Sequence, residues 1–320
     1  MSDWPLQSDL ARSHAAALAT RQRIRPWVRE TPLIEASGGL FLKLETLQRT
    51  GSFKVRGAAS ALSAGHRAGA RSVIAASTGN HGLAVAHVAG ELGMSCRVFV
   101  PSSASGFKLA RLRGAGVELV EVAGDPLRAE LAAREEAAAG GALFVSPYND
   151  PLVVLGQASI GLELTEQLGE APGALFVAVG GGGLISGIAL AVRARWPRTR
   201  IVGCVPAASP AMADAVAAGG RVVPSRLEQT LSDATAGGIE EGSITVAIAT
   251  ALVDDWLQIS EAEIAAAMRA ALLDYHVAIE GASGLALAGA LRQGAGEGPR
   301  VAVLGGANAG ATALEAVLHV

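Results

Sequence analysis

An α/β fold of open, twisted parallel sheets with helices on both faces is predicted by two features of the sequence. Short apolar runs alternate with Ala-rich stretches of helical length, the pattern of buried parallel strands joined by helical crossovers. Half of the residues are hydrophobic, and Gly and Ala are abundant, which suits close packing of helix on sheet. At 320 residues the chain has room for two domains and a sizeable core.

A mostly helical lead-in is expected from Asp9 to Arg29. Strands are expected at Leu40–Leu44, Ser72–Ala76, Cys96–Pro101, Val117–Val122 and Ala142–Pro147. Further strands are expected at Ala174–Val179, Arg200–Pro206, Trp256–Ile259 and Arg300–Leu304. Helical patterns between them include Gly79–Gly93, Pro126–Ala139, Leu184–Trp196 and Glu261–Tyr275. The last opens with Ser260 and Glu263 at capping-box spacing. The strand and helix units of 47–140 are expected to form a small domain with its own parallel sheet. It would be inserted into a large domain made of 1–46 and 141–320.

Composition removes several classes of function. A net charge of −3 offers no basic surface for nucleic acid or anionic membrane. No run reaches the ~20 apolar residues of a membrane span, and Met1 to Glu30 holds no apolar signal region. Cys96 and Cys204 lie in apolar runs and read as core thiols, which favours a reducing, cytoplasmic location. His66, His87, His276 and His319 are scattered through helical contexts, and no HExxH, CxxC or Gly-x-Ser-x-Gly pattern occurs.

Chemistry concentrates in a few short segments. Lysine occurs only at 43, 54 and 108, so arginine carries nearly all the positive charge. Lys54 stands inside Gly51-Ser52-Phe53-Lys54-Val55-Arg56-Gly57-Ala58. Arginine keeps its proton, whereas a partly buried lysine can lose one and act as an amine nucleophile toward an aldehyde. The plainer alternative is a lysine in the first turn of a helix, pointing to water.

Ser77-Thr78-Gly79-Asn80-His81-Gly82 follows a strand and opens a helix. Its amide hydrogens would stand at the positive end of that helix, where a carboxylate or phosphate binds, or Ser77 or Thr78 simply caps it. Gly180-Gly181-Gly182-Gly183-Leu184 follows another strand. Consecutive glycines are entropically costly and make sense where an oxyanion needs several amides with no Cβ in the way. The spacing is neither a Walker A loop nor a dinucleotide fingerprint, so a phosphate of some other cofactor is favoured over a plain turn. Gly305-Gly306-Ala307-Asn308 follows a third strand, with Ile279-Glu280-Gly281-Ala282 shortly before it.

A Schiff-base lysine, an Asn-bearing turn and a tetraglycine loop in this order resemble the fold type II pyridoxal-phosphate enzymes, whose architecture is that of the tryptophan synthase β chain. Among them the chain is most similar to the threonine/serine dehydratase and serine racemase family, over roughly 20 to 310. The resemblance implies pyridoxal 5′-phosphate as cofactor, joined to Lys54 as a Schiff base, with Phe53 beside it. It places Asn80 on the cofactor's 3′ oxygen, Gly180, Gly181, Gly182, Gly183 and Leu184 at its phosphate, and Glu280 and Gly305 near its ring. The substrate carboxylate would be bound by Ser77, Thr78, Gly79, Asn80 and His81. Pro147 to Asp150, Gly156-Gln157, Ser232-Asp233 and Glu280-Gly281-Ala282 are also similar to the family.

Three departures stand out. Leu304 to Asn308 lacks the serine or cysteine that many relatives place against the pyridine nitrogen. Gly203-Cys204-Val205-Pro206 lacks the glutamate of metal-binding relatives, so no metal is expected. Thr78 replaces the serine of racemases and the alanine of typical dehydratases. The chain ends where biosynthetic threonine dehydratases would begin a regulatory domain, so none is expected. The resemblance thus implies a homodimeric ammonia-lyase acting on an L-β-hydroxy amino acid, with Lys54 as general base and Thr78 as a second catalytic candidate. The alternatives are a racemase, a dehydratase for a bulkier substrate such as phenylserine or hydroxyaspartate, and a non-catalytic binding protein.

Overall fold

The computed structural model describes residues 9–318 except 103, 105, 125 and 295–297. His319 therefore lies outside the described residues. The chain opens with α1 (Leu10–Ile24), β1 (Leu33–Glu35), β2 (Leu40–Leu44), a 3-10 turn (Glu45–Leu47) and α2 (Lys54–Arg67). Next come β3 (Ser72–Ala76), α3 (Asn80–Glu91), β4 (Ser95–Pro101), α4 (Gly106–Gly114), β5 (Glu118–Val122), α5 (Pro126–Gly140) and β6 (Leu143–Phe144). Then follow α6 (Pro151–Gln167), β7 (Ala174–Ala178), α7 (Gly183–Arg195), β8 (Arg200–Pro206) and α8 (Ala211–Ala217). The chain closes with α9 (Ile244–Leu252), β9 (Asp255–Ile259), α10 (Glu261–Leu273), α11 (Gly281–Arg292), β10 (Arg300–Leu304) and α12 (Ala311–Leu318).

The strands form two sheets. One has the order β1-β2-β10-β7-β8-β9 and the other β5-β4-β3-β6. Every pairing is parallel except that of β1 with β2. Alternation along β7 shows how both faces are covered. Leu175 and Val177 pack with α1, α6, α7 and α9, while Ala174, Phe176 and Ala178 pack with α10 and α11. Fully burying a side chain the size of Leu175, Phe176 or Val177 contributes roughly 1.5–3 kcal/mol. In the second sheet, Val73 and Ala75 face α2 and α3, and Ile74 and Phe99 face α5.

Two strands differ from expectation by more than one residue at an end. β1 is a three-residue antiparallel edge strand too short to give an alternating pattern. The run expected at Ala142–Pro147 is cut to Leu143–Phe144, because the chain turns as soon as Val145 N–H has bonded to Ile74 O at 3.1 Å. Ser146 Oγ accepts from Asn149 N–H at 3.0 Å, and Asp150 caps α6 through Leu152 N–H at 2.7 Å. β6 pairs with β3, so the smaller sheet extends past residue 140. The capping box of Ser260 and Glu263 is present at the start of α10.

Cys96 and Cys204 are both free, and burial pushes each thiol up to about 12, which leaves them inert. Among the described residues no helix is long and apolar enough to cross a membrane. The turns after β3, β7 and β10 lie at the carboxyl ends of their strands, where ligands bind in open parallel sheets.

Candidate active site

Lys54 begins α2, and the chain just before it is tied to the end of β10. Phe53 N–H donates to Gly305 O at 2.9 Å, and Ser52 forms an antiparallel bridge with Gly306. Lys54 Nζ donates to Pro147 O at 2.9 Å and lies 5.2 Å from the centre of the Phe53 ring. Burial lowers its pKa to about 8, against the opposing pull of Glu280.

Two residues further along α2, Arg56 is fully buried and forks onto two carboxylates. Its Nε and Nη2 donate to Glu45 at 2.8 Å each, and Nη2 and Nη1 reach both oxygens of Glu163. Gly156 of α6 lets α2 come close, since a Cβ there would meet Arg56 O at 2.4 Å. The lysine-bearing helix is thus held from both sides.

The tetraglycine loop joins β7 to α7. Gly182 is the N-cap, with φ +83, a left-handed conformation that favours glycine. Gly181 is required by packing as well, because a Cβ there would sit 2.3 Å from the Tyr148 ring. Thr245 Oγ1 donates to Gly181 O at 2.7 Å, which fixes that carbonyl. First-turn amides have no partner within their helix, so this end of α7 can bind an anion.

From the other sheet, α3 delivers Asn80. Its Nδ2 donates to Glu280 Oε1 at 2.7 Å, and its Oδ1 accepts from Asn308 Nδ2 at 2.6 Å. Burial raises Glu280 to about 7, opposed by the Asn80 hydrogen bond. His81 is buried, with Nε2 2.8 Å from Val145 O, and burial lowers it to about 3. It is therefore neutral and can offer a carboxylate only its backbone N–H. Ser77 Oγ accepts from Gly79 N–H at 3.1 Å, which shapes the turn before α3.

A single cleft is lined by Phe53, Lys54, Asn80, Gly180, Gly181, Gly182, Gly183, Leu184, Glu280 and Gly305. These are all the residues expected around the cofactor. Ser77, Thr78, Gly79 and His81 are not among its lining residues, though they adjoin Asn80 in the chain. The cleft also takes in Tyr148, Ala178, Ala234, Thr235 and Ala282. Tyr148 belongs to the Pro147–Asp150 segment. Thr235 comes from an irregular stretch between α8 and α9 and carries no local signal in the sequence. Among the described residues no group of three or more His, Cys, Asp or Glu could hold a metal ion.

Residues 24–306 match the family of pyridoxal-phosphate dependent enzymes. The chain belongs to this family. The enzyme is 38% identical to an L-threonine ammonia-lyase of Geobacter sulfurreducens, over 89% of its own length and 73% of that protein. It is 32% identical to a serine racemase of Arabidopsis thaliana, over 84% of its length and 82% of the relative. Its fold is similar to that of the processed threonine deaminase isoform 2 of Solanum lycopersicum. That likeness has a TM-score of 0.88 at 28% identity, covering 97% of this chain and 92% of the other.

Proposed function

We propose that this enzyme is an ammonia-lyase that converts L-threonine, L-serine or a similar β-hydroxy amino acid into a 2-oxo acid and ammonia. The observation that carries the chemistry is the amine of Lys54, lowered to about 8, in one cleft with the glycine loop and Asn80. The likeness to L-threonine ammonia-lyase supports the substrate class.

The residues present fit pyridoxal phosphate. Lys54 would hold its aldehyde carbon, the amides of Gly180 to Gly183 at the start of α7 its phosphate, and Asn80 its 3′ oxygen. When bound, the cofactor supplies an electron sink for the negative charge left at the substrate's Cα. The protein supplies the rest. Burial lowers the Lys54 amine toward its neutral form, so its Nζ can take the Cα proton. Ser77, Thr78 and the backbone amides of Gly79 to His81 would bind the substrate carboxylate. Gly305 offers the ring nitrogen neither hydroxyl nor carboxylate, which favours prompt loss of the β-substituent over prolonged storage of charge. Glu280 is held instead by Asn80 and Asn308.

A second reading, racemisation, is favoured by the likeness to a serine racemase. It requires a proton donor on the face of Cα opposite Lys54, and Thr78 is the candidate there. Its β-branch restricts χ1, so elimination is expected to dominate. We also assign the two sheets to a small and a large domain, and the enzyme to the cytoplasm as a homodimer, whose oligomeric state sedimentation would test.

A panel of L-β-hydroxy amino acids, assayed for both 2-oxo acid and D-isomer, is the deciding experiment. Fast release of 2-oxo acid from threonine or serine supports the proposal. D-isomer formed at a comparable rate, and abolished by Thr78→Ala, would favour the racemase. Reaction only with phenylserine or hydroxyaspartate would move the substrate class to bulkier amino acids.

A further inference from the structure

We propose that Asn308 is a positioning residue that fixes the side-chain amide of Asn80, so that its Nδ2–H and not its Oδ1 is offered to the cofactor. This rests on the assignment of Asn80 to the cofactor's 3′ oxygen under the proposed function.

The polarity of an amide side chain is set by its partners, and here those partners leave no choice. Arg111 Nη2 lies 2.8 Å from one end of the Asn308 amide. A guanidinium only donates, so that end must be Oδ1. The other end lies 2.9 Å from the carbonyl oxygen of Thr50, which only accepts, so it must be Nδ2. That same Nδ2 is 2.6 Å from the Asn80 amide and must meet its oxygen. Asn80 is thereby left with Nδ2 toward Glu280 Oε1, which lines the cleft with it.

A run of hydrogen bonds with one direction thus extends from the Arg111 cation, through Asn308 and Asn80, to the Glu280 carboxyl group. Asn308 is locked from its backbone as well, since its N–H donates to Glu280 Oε2 at 3.1 Å. Gly51 makes room for it, because a Cβ at Gly51, where φ is +71, would lie 2.7 Å from Asn308 Oδ1.

The consequence is chemical. One hydrogen on Asn80 Nδ2 is taken by Glu280, and the second is free for an acceptor. A donor beside a phenolic oxygen favours its anionic form, whereas an amide oxygen there would favour the protonated form. Asn308 does not line the cleft itself, and would act on the cofactor only through Asn80.

The test uses purified protein with pyridoxal phosphate. Its readouts are the dissociation constant of the cofactor and the pH at which its absorption changes. Asn308→Asp keeps the shape, the backbone N–H and an acceptor for Arg111, but cannot donate to Asn80. It should turn the Asn80 amide over, weaken cofactor binding about tenfold, the value of one well-placed hydrogen bond, and raise the pH of the absorption change. Asn308→Ala frees Asn80 to adopt either orientation and should cost only about threefold. A residue needed merely for structure would show the reverse order, since alanine removes more contacts than aspartate.

The negative charge that Asn308→Asp introduces is controlled by a double-mutant cycle with Asn80→Ala. In that background the effect of Asn308→Asp should fall below about twofold. An alanine loss equal to or larger than the aspartate loss, or an aspartate effect that persists without Asn80, overturns the inference. Wild-type protein that takes up no pyridoxal phosphate overturns the proposed function and this inference together, so the two failures can be told apart.

Discussion

Lys43 and Lys54 are both drawn into the protein, yet their surroundings give them opposite characters. Lys43 is completely buried and donates to Glu163 at 2.6 Å, to Thr31 O at 2.7 Å and to Gln167 at 2.9 Å. Lys54 donates to a neutral carbonyl, that of Pro147. Burial works against the proton on both amines. At Lys43 a carboxylate in contact opposes that cost, although burial still outweighs it and leaves the amine below its ordinary value. Although burial pushes Glu163 up, Arg56 and Lys43 outweigh it and hold the carboxyl below its ordinary value. Lys54 has only the longer-range pull of Glu280 and settles at about 8. A buried lysine therefore becomes a structural cation or a nucleophile according to what is placed against it.

The largest effect that could break this contrast is on activity. Lys54→Ala should lower turnover at least about 10³-fold, because base and attachment point vanish together. Borohydride reduction of the wild-type holoenzyme followed by peptide mapping should place the pyridoxyl group on Lys54. Label on Lys43 would reverse the roles of the two lysines.

Next in size is a stability effect at the other lysine. Lys43→Met leaves Glu163 paired with Arg56 alone and should cost about 3 kcal/mol, the low end for breaking a buried ion pair. Urea unfolding of the apoprotein measures it. A neutral result would mean that the Arg56 fork suffices.

A pH titration sharpens the contrast without a large change in rate. The neutral amine is the nucleophile, so attachment of pyridoxal phosphate to the apoprotein should rise through about pH 8, not through the ordinary lysine value of 10.5. The shift is downward, so the stability linked to this amine is present above about pH 10.5 and lost as pH falls through about 8. Lys54→Met should accordingly stabilise the apoprotein more at about pH 7 than at about pH 10. A midpoint near the ordinary lysine value would show that burial does not tune this amine.

The smallest expected effect is none. The family resemblance puts Val205 where metal-binding relatives would have a carboxylate, and an aliphatic side chain offers a hard cation no oxygen. EDTA should leave the rate unchanged. A loss restored by Mg²⁺ would locate a cation site elsewhere in the protein.

The alternation of uniformly apolar runs with Ala-rich stretches was enough to place the strands at Leu40–Leu44, Ser72–Ala76, Arg200–Pro206 and Arg300–Leu304 without error. Hydrophobic period is local and both faces of these strands are buried, so the signal is strong. β1 leaves no such signal, because three residues on an edge carry no period. The apolar run at Ala142–Pro147 outlasts its strand, because apolar character does not mark where the chain turns into α6.

For the site, the sequence alone determined which segments hold reactive or anion-binding groups, because Gly-rich turns and a lysine among arginines are rare enough to be read directly. Only the tertiary structure decided what each group meets. Phe53 and Gly305 are joined by a backbone bond between distant segments, and His81 is spent on Val145 O. Tyr148 underlies the glycine loop, and Asn308 reaches Asn80 from the opposite sheet. Lys43 and Lys54 make the division plain. Their spacing in the chain says nothing of Glu163 or Pro147, which come from far along the sequence. Yet the pKa of an amine is set by the charges and solvent within a few ångströms, and those are arranged only by the fold.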